Sequence, residues 1–250
     1  NPTIIVESHS PYIKNLEYLR SLESSSVNTI IVPSQYQARR VKKRLNEHIL
    51  VKVSPNPLRK IFMEPIKTFP ISRSTPIIAW IGRFDDLKNW KGFINLSSCL
   101  KTKVRNVEFW MVGRLPYQKL THEFYKIAHK AKILQHLRWY NNFPHARMPY
   151  LLDAVRSSGG VVISTSKGES FGMTIAEAMA RACAVVAPDI GPYPEFIQTQ
   201  RNGILYSHRS MRDAVEHVYR LLQDSEFRTL LGKRGRHSIV EKHDPDVALY

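Results

Sequence analysis

GVVISTSKGESFGMTIAEAMARACAVVA, residues 160–187, reads as one strand–helix–strand unit. Gly160–Ser164 is a short apolar run of strand length, and a polar, glycine-containing loop follows it. Met173–Ala182 is rich in helix formers and free of proline, and Ala184–Ala187 is a second apolar run. Strands joined through a helix pair in parallel, with a right-handed crossover. The same rhythm extends outward. Further strands are expected at Thr3–Val6, Thr29–Val32, Leu50–Val53, Ile77–Ile81, Val107–Val112 and Gly203–Tyr206. Helical patterns cover Ile13–Leu22, Gln35–Asn46, Trp90–Leu100, Lys119–Leu134, Pro149–Val155, Met211–Leu222 and Glu226–Val240. The class is α/β, a Rossmann-like parallel sheet flanked by helices.

One stretch breaks the rhythm. Ser54–Pro76 carries Pro55, Pro57, Pro65, Pro70 and Pro76 without periodicity, a composition suited to a connector. The expected organisation is therefore a remnant of an N-terminal Rossmann-like domain (1–56), a linker (57–74) and a C-terminal Rossmann-like domain (75–250). The first part holds too few strands for a complete doubly wound domain.

The 250 residues are 43% hydrophobic and 23% charged, enough to bury a sizeable core. No apolar run approaches the roughly 20 residues of a membrane span. The opening NPTIIVESHSPY lacks a basic and then apolar leader, and it lacks an initiating methionine, which suggests a fragment or processed form. Cys99 and Cys183 lie in apolar contexts and read as buried thiols of a reducing compartment. A cytoplasmic location is expected. The ten histidines show no ligand spacing, so no metal site is expected.

Lys plus Arg is 37 against 21 for Asp plus Glu, a net +16. Such a surface attracts anions: nucleic acid, anionic lipid or phosphorylated small molecules. The clusters Arg39-Arg40-Val41-Lys42-Lys43-Arg44 and Lys233-Arg234-Gly235-Arg236 also read as solvated helix faces. No zinc finger, helix-turn-helix or RNA-binding sheet signature supports a specific nucleic-acid partner. Peripheral association with the inner face of an anionic membrane is compatible with the charge.

Ligands of open parallel sheets bind beyond the carboxyl ends of the strands, in strand-to-helix loops. In Ile81-Gly82-Arg83-Phe84-Asp85-Asp86-Leu87-Lys88-Asn89-Trp90-Lys91-Gly92, Arg83 presents a planar fork suited to phosphate, and a lysine follows it. Arg83 is equally suited to pair with Asp85 or Asp86. In Ser164–Ala180, a helix opens near Gly172, where free N–H groups and the helix dipole favour a phosphate. Glu169 and Glu177, eight positions apart, are carboxylates able to accept hydrogen bonds from sugar or ribose hydroxyls. Ala187–Glu195 reads only as a tight turn.

Together these segments resemble the retaining, family 4 type of GT-B glycosyltransferase (glycosyl transferases group 1), as its C-terminal donor-binding domain preceded by the end of its N-terminal domain. Asn56-Pro57 resembles the connector before the C-terminal domain, and Gly82-Arg83 with a downstream lysine resembles the diphosphate clamp. Glu169 and Glu177 resemble the E-x7-E signature, and Asn202-Gly203-Ile204-Leu205 the N-G-x-L element. Glu7-Ser8-His9-Ser10 resembles the strand end that bears an active-site histidine, and Val32-Pro33-Ser34 the helix start after it.

The resemblance implies roles for these residues. Gly82, Arg83 and either Lys88 or Lys91 would hold the donor diphosphate. Gly172 and the N–H groups of Met173 and Thr174 would cap its distal phosphate, with Phe171 also among the donor-binding residues. Glu169 would address the transferred sugar and Glu177 the ribose, with His9 across the cleft. The catalytic set is then His9, Arg83, Lys88 and Glu169. No cofactor is implied. The donor would be a UDP-, GDP- or dTDP-sugar, and the acceptor a saccharide or lipid-linked molecule of surface polysaccharide or glycolipid synthesis. The chain departs from the family pattern at Gly191-Pro192, where Gly-Gly is usual, and at Arg181-Ala182-Cys183, where Ala-Gly-x is usual. The family's N-terminal glycine-rich loop has no counterpart here. The alternative reading is a non-catalytic nucleotide-sugar-binding or scaffold module.

Overall fold

A computed structural model of the chain describes residues 4–46, 48–65 and 75–243. The expected strand start at Thr3, the second half of the expected linker (66–74) and the chain from residue 244 onward lie outside the described residues. Two parallel sheets carry the described chain. The smaller has the order β1 (Ile5–Glu7), β2 (Thr29–Val32), β3 (Leu50–Val53). Its core is formed by Leu16, Leu19, Ile30, Val32, Ala38 and Val41. Helix α1 (Gln35–Lys42) joins β2 to β3. The segment Ile13–Ser21, expected as an α-helix, is a 3-10 helix. Its buried residues are Leu16 and Leu19, and a three-residue turn stacks that spacing on one side.

After the single-turn helix α2 (Lys60–Met63), the larger sheet begins with β4 (Ile77–Ile81). In chain order follow α3 (Trp90–Lys103), β5 (Glu108–Val112), α4 (Gln118–Lys130), β6 (Leu137–Tyr140), α5 (Met148–Ser157) and β7 (Val161–Ile163). Then come α6 (Met173–Ala180), β8 (Ala184–Pro188), α7 (Tyr193–Phe196), β9 (Ile204–Tyr206), α8 (Met211–Gln223) and α9 (Ser225–His243). The spatial order is β6-β5-β4-β7-β8-β9, all parallel. This is the doubly wound order, in which the winding reverses between β4 and β7.

Strand alternation explains why both faces are covered. Ile78 and Trp80 of β4, Phe109 and Met111 of β5 and Val161 of β7 share one core with residues of α3, α4 and α8. Their neighbours Ile77, Ala79, Trp110, Val112 and Val162 share another with α5, α6 and α9. A sheet buried on both sides reads as continuous apolar runs, which is how these strands appear in the sequence. Strand β6 was not expected. It lies at the edge, and Arg138 interrupts its apolar character while donating to Glu108 at 2.9 Å.

The unusual Arg181 after α6 has a structural reason. Its guanidinium donates to both carboxylate oxygens of Asp153 on α5, at 3.0 and 2.6 Å, with both side chains buried. It also donates to the Glu64 carbonyl at 2.8 Å, so one side chain ties α5, α6 and the segment after α2. The two sheets are joined directly as well. Glu195 accepts from the backbone N–H groups of Gln35 and Tyr36, at 2.9 and 2.6 Å. Ser34 caps α1 by accepting from the Gln37 N–H and donates its own proton to the Ser170 carbonyl at 2.7 Å. Helix α9 returns to the connector, where the Leu58 N–H donates to the His243 carbonyl at 3.0 Å. No helix among the described residues is long and apolar enough to cross a membrane.

Candidate functional site

Where the winding reverses, the loops after β4 and β7 diverge to opposite faces and leave a crevice beyond the strand ends. A cleft of about 560 Å³ opens there, within the range of small-ligand sites. Gly82, Arg83 and Lys88 line it from the first loop, and Glu169 through Thr174 from the second. His9 and Pro11 reach it from the smaller sheet, and Asn56 from the connector. The structure thus gathers onto one cleft nearly every residue singled out in the sequence.

Lys88 and Glu169 meet at its floor. Lys88 Nζ lies 2.6 Å from Glu169 Oε1, with both side chains largely buried. The same oxygen accepts from Ser166 Oγ at 2.8 Å and from the Tyr193 hydroxyl at 3.2 Å. The Tyr193 oxygen also lies 2.9 Å from Ser164 Oγ, from which it can accept while its own proton goes to Glu169. Burial, reinforced by the negative Glu169, raises the Tyr193 pKa well above that of an ordinary phenol, so it stays a donor. Above it, Gly172 opens α6 in the left-handed region at φ 98°. A Cβ there would stand 2.6 Å from Tyr193 Cε1, so the position excludes any larger residue. Among the described residues no side chain caps the first turn of α6, and Met173 and Thr174 lie on the cleft wall. This is a helix terminus with N–H groups and positive dipole turned to an opening. Phe171 is buried beneath, stacked on Phe196 with ring centroids 5.6 Å apart.

Arg83 satisfies both readings of its loop. It lines the cleft, and its Nε donates to Asp85 Oδ2 at 3.0 Å while its Nη2 donates to the Tyr12 hydroxyl at 2.9 Å. Tyr12 in turn donates to Asp85 Oδ2 at 2.7 Å. Burial alone would raise the Asp85 pKa. The Lys88 N–H, the Tyr12 hydroxyl and the Arg83 charge outweigh it and hold the carboxyl below its ordinary value. His9 extends from the end of β1 with Nε2 3.3 Å from Glu7 Oε2.

Two expected residues lie elsewhere. Lys91 pairs with Glu123 of α4 and sits over the Trp90 ring at 5.4 Å, so Lys88 is the lysine brought to the cleft. The reason is Asn89, whose left-handed backbone (φ 51°, ψ 49°) starts α3 between the two lysines. Glu177 is buried on α6 and does not line the cleft. Its Oε1 is bound by His145 Nε2 at 2.9 Å, and Arg59 Nη1 lies 3.0 Å from His145 Nδ1. A guanidinium can only donate, so Nδ1 accepts and the imidazole proton on Nε2 goes to Glu177. Burial raises the Glu177 pKa against the lowering pull of His145 and Arg59.

Sequence reading did not foresee Tyr12, Tyr193, His145, Arg59, Asn142 or Phe143, the last two on the cleft wall after β6. The Asn141-Asn142-Phe143-Pro144 run is a turn signal that would have placed a loop there, had β6 been recognised.

Comparison with known proteins agrees with this architecture. The family model described as Glycosyl transferases group 1 matches residues 64–238. A trehalose synthase of Thermococcus litoralis is 24% identical over 254 residues, covering 94% of this chain and 58% of the relative. A trehalose synthase of Rubrobacter xylanophilus is 27% identical over 176 residues, covering 70% of this chain and 41% of the relative. The chain thus spans about half the length of these curated relatives. The solved structure of Anabaena HepE in complex with UDP and glucose superposes with a TM-score of 0.83 at 17% identity, covering 98% of this chain and 69% of that one.

Proposed function

Because the chain belongs to the glycosyl transferases group 1, with a fold matching GT-B structures, we propose that it carries the donor site of a hexosyltransferase that uses a nucleoside-diphosphate sugar. One observation carries the reading: Lys88 and Glu169 are locked together beside the uncapped start of α6, at the reversal point of the sheet. Breaking the bond between sugar and diphosphate places negative charge on the departing phosphate. Lys88, Arg83 and the Met173 and Thr174 N–H groups offer fixed positive partners for that charge, which lowers the barrier without reorganisation. The Glu169 carboxylate, held by Lys88, Ser166 and Tyr193, is oriented to accept from hydroxyls of the transferred sugar. His9 faces the sugar from the smaller sheet, and Glu177, one helical turn beyond the cleft residue Met173 on the same side of α6, would take the ribose of a donor that extends past the cleft's end.

In this reading the acceptor hydroxyl attacks from the face the diphosphate leaves, and configuration is retained. UDP-linked hexoses are the first donors to test, since UDP occupies the Anabaena neighbour. GDP- and dTDP-sugars follow. The acceptor is a saccharide or lipid-linked molecule of polysaccharide or glycolipid synthesis, met at an anionic membrane surface. Calorimetry against a panel of UDP-, GDP- and dTDP-sugars tests the donor site. Micromolar to millimolar binding of at least one donor, lost in Lys88→Ala, is expected. Absence of binding to the whole panel would remove the proposal. Proton NMR of the product anomer tests retention.

A further inference from the structure

We infer that Tyr12 is a positioning residue for Arg83, reaching from the smaller sheet's side of the molecule to orient the phosphate-binding guanidinium. The inference rests on the donor-site reading and deepens it. Three side chains close a ring of hydrogen bonds: Tyr12 to Asp85 at 2.7 Å, Arg83 to Asp85 at 3.0 Å and Arg83 to Tyr12 at 2.9 Å. The Tyr12 ring also lies under the guanidinium, 5.3 Å from Cζ to centroid. Asp85 is anchored in turn, because its second oxygen accepts the Lys88 N–H at 2.8 Å.

This arrangement divides the guanidinium in two. Its side edge, Nε and one Nη2 proton, is spent on Asp85 and Tyr12. A guanidinium has five N–H donors, so three remain free of this ring, and the two on the end edge are enough for a forked pair to phosphate oxygens. Arg83 is otherwise more than half exposed. A long exposed side chain samples many rotamers, and fixing it on binding costs affinity. Tyr12 and Asp85 incur that ordering cost beforehand. Tyr12 lies in the segment after β1 and Arg83 after β4, 71 residues apart, so the orientation depends on how the two sheets sit together.

The test is a double-mutant cycle on UDP affinity, measured by calorimetry with the wild-type chain, Tyr12→Phe, Arg83→Ala and the double variant. Tyr12→Phe keeps the ring and removes both hydroxyl bonds. It is expected to weaken UDP binding about tenfold, equivalent to about 1.4 kcal/mol. In the Arg83→Ala background the same change is expected to have no further effect, because Tyr12 acts through Arg83. Unchanged affinity in Tyr12→Phe, or losses that multiply in the double variant, would overturn the positioning role while the donor site stands. The cycle is run with GDP or dTDP if the wild-type chain binds one of these instead of UDP; failure to bind any of the three, or wild-type affinity in Arg83→Ala, would overturn the donor reading and this inference with it.

Discussion

Replacing Lys88 by Met separates two consequences of one ion pair. At 2.6 Å and an effective dielectric of about 20, the gross attraction is about 6 kcal/mol. Most of it offsets the desolvation of two charges. The measurable quantity is therefore the cost of leaving Glu169 alone, about 3–5 kcal/mol for a buried pair that loses one partner. Ser166 and Tyr193 still donate to Glu169 Oε1 in the variant, which favours the lower end. For a chain of this size about 3 kcal/mol corresponds to a Tm lowered by roughly 6–12 °C. Adding Glu169→Gln removes the stranded charge, so Lys88→Met with Glu169→Gln recovers most of the lost stability. Donor binding is not recovered, because both clamp and sugar contacts are gone. Thermal denaturation by circular dichroism and calorimetry on the same samples give both readouts. A double variant no more stable than Lys88→Met would refute the stranded-charge argument.

Three further outcomes are expected. Ala182 holds a left-handed backbone (φ 55°) just after α6, where a side chain costs about 1 kcal/mol, so Ala182→Gly should raise Tm by a few degrees in a melting scan. Burial pushes the Cys183 thiol up to about 12 and Cys99 is exposed, so maleimide should label one thiol per native chain, counted by mass spectrometry, and two after denaturation. The folded state holds the Glu177 proton more tightly than the unfolded state does. Its contribution is thus fully present below the ordinary pKa of 4.5 and is lost as pH rises through the raised folded value. Glu177→Gln should flatten that fall in a stability profile measured with urea.

What was legible in the sequence follows from how each feature is encoded. Ile77–Ile81 and Ala184–Ala187 announce themselves because both faces of each strand are buried and nearly every residue is apolar. β6 is hidden because an edge strand tolerates Arg138. The Gly82–Lys88 loop and the Glu169–Thr174 loop were readable because their residues are close in sequence and lead into helices. Their partners were not. Tyr12 meets Asp85 across 73 positions, His145 meets Glu177 across 32, and Tyr193 meets Glu169 across 24. Such meetings are products of tertiary packing, and no local pattern carries them. Which of Lys88 and Lys91 reaches the cleft is likewise a matter of tertiary structure, since it turns on one left-handed residue between them.

The Glu195 carboxylate has a consequence for motion. Helix α1 has eight residues and no acidic side chain in its first turn, and a helix so short is marginal by itself. Its leading N–H groups at Gln35 and Tyr36 are neutralised by a carboxylate that belongs to the other sheet. Parting the two sheets therefore returns those amides to water. Deuterium uptake at Gln35 and Tyr36 becomes a built-in gauge of the gap, read from two backbone positions without any label.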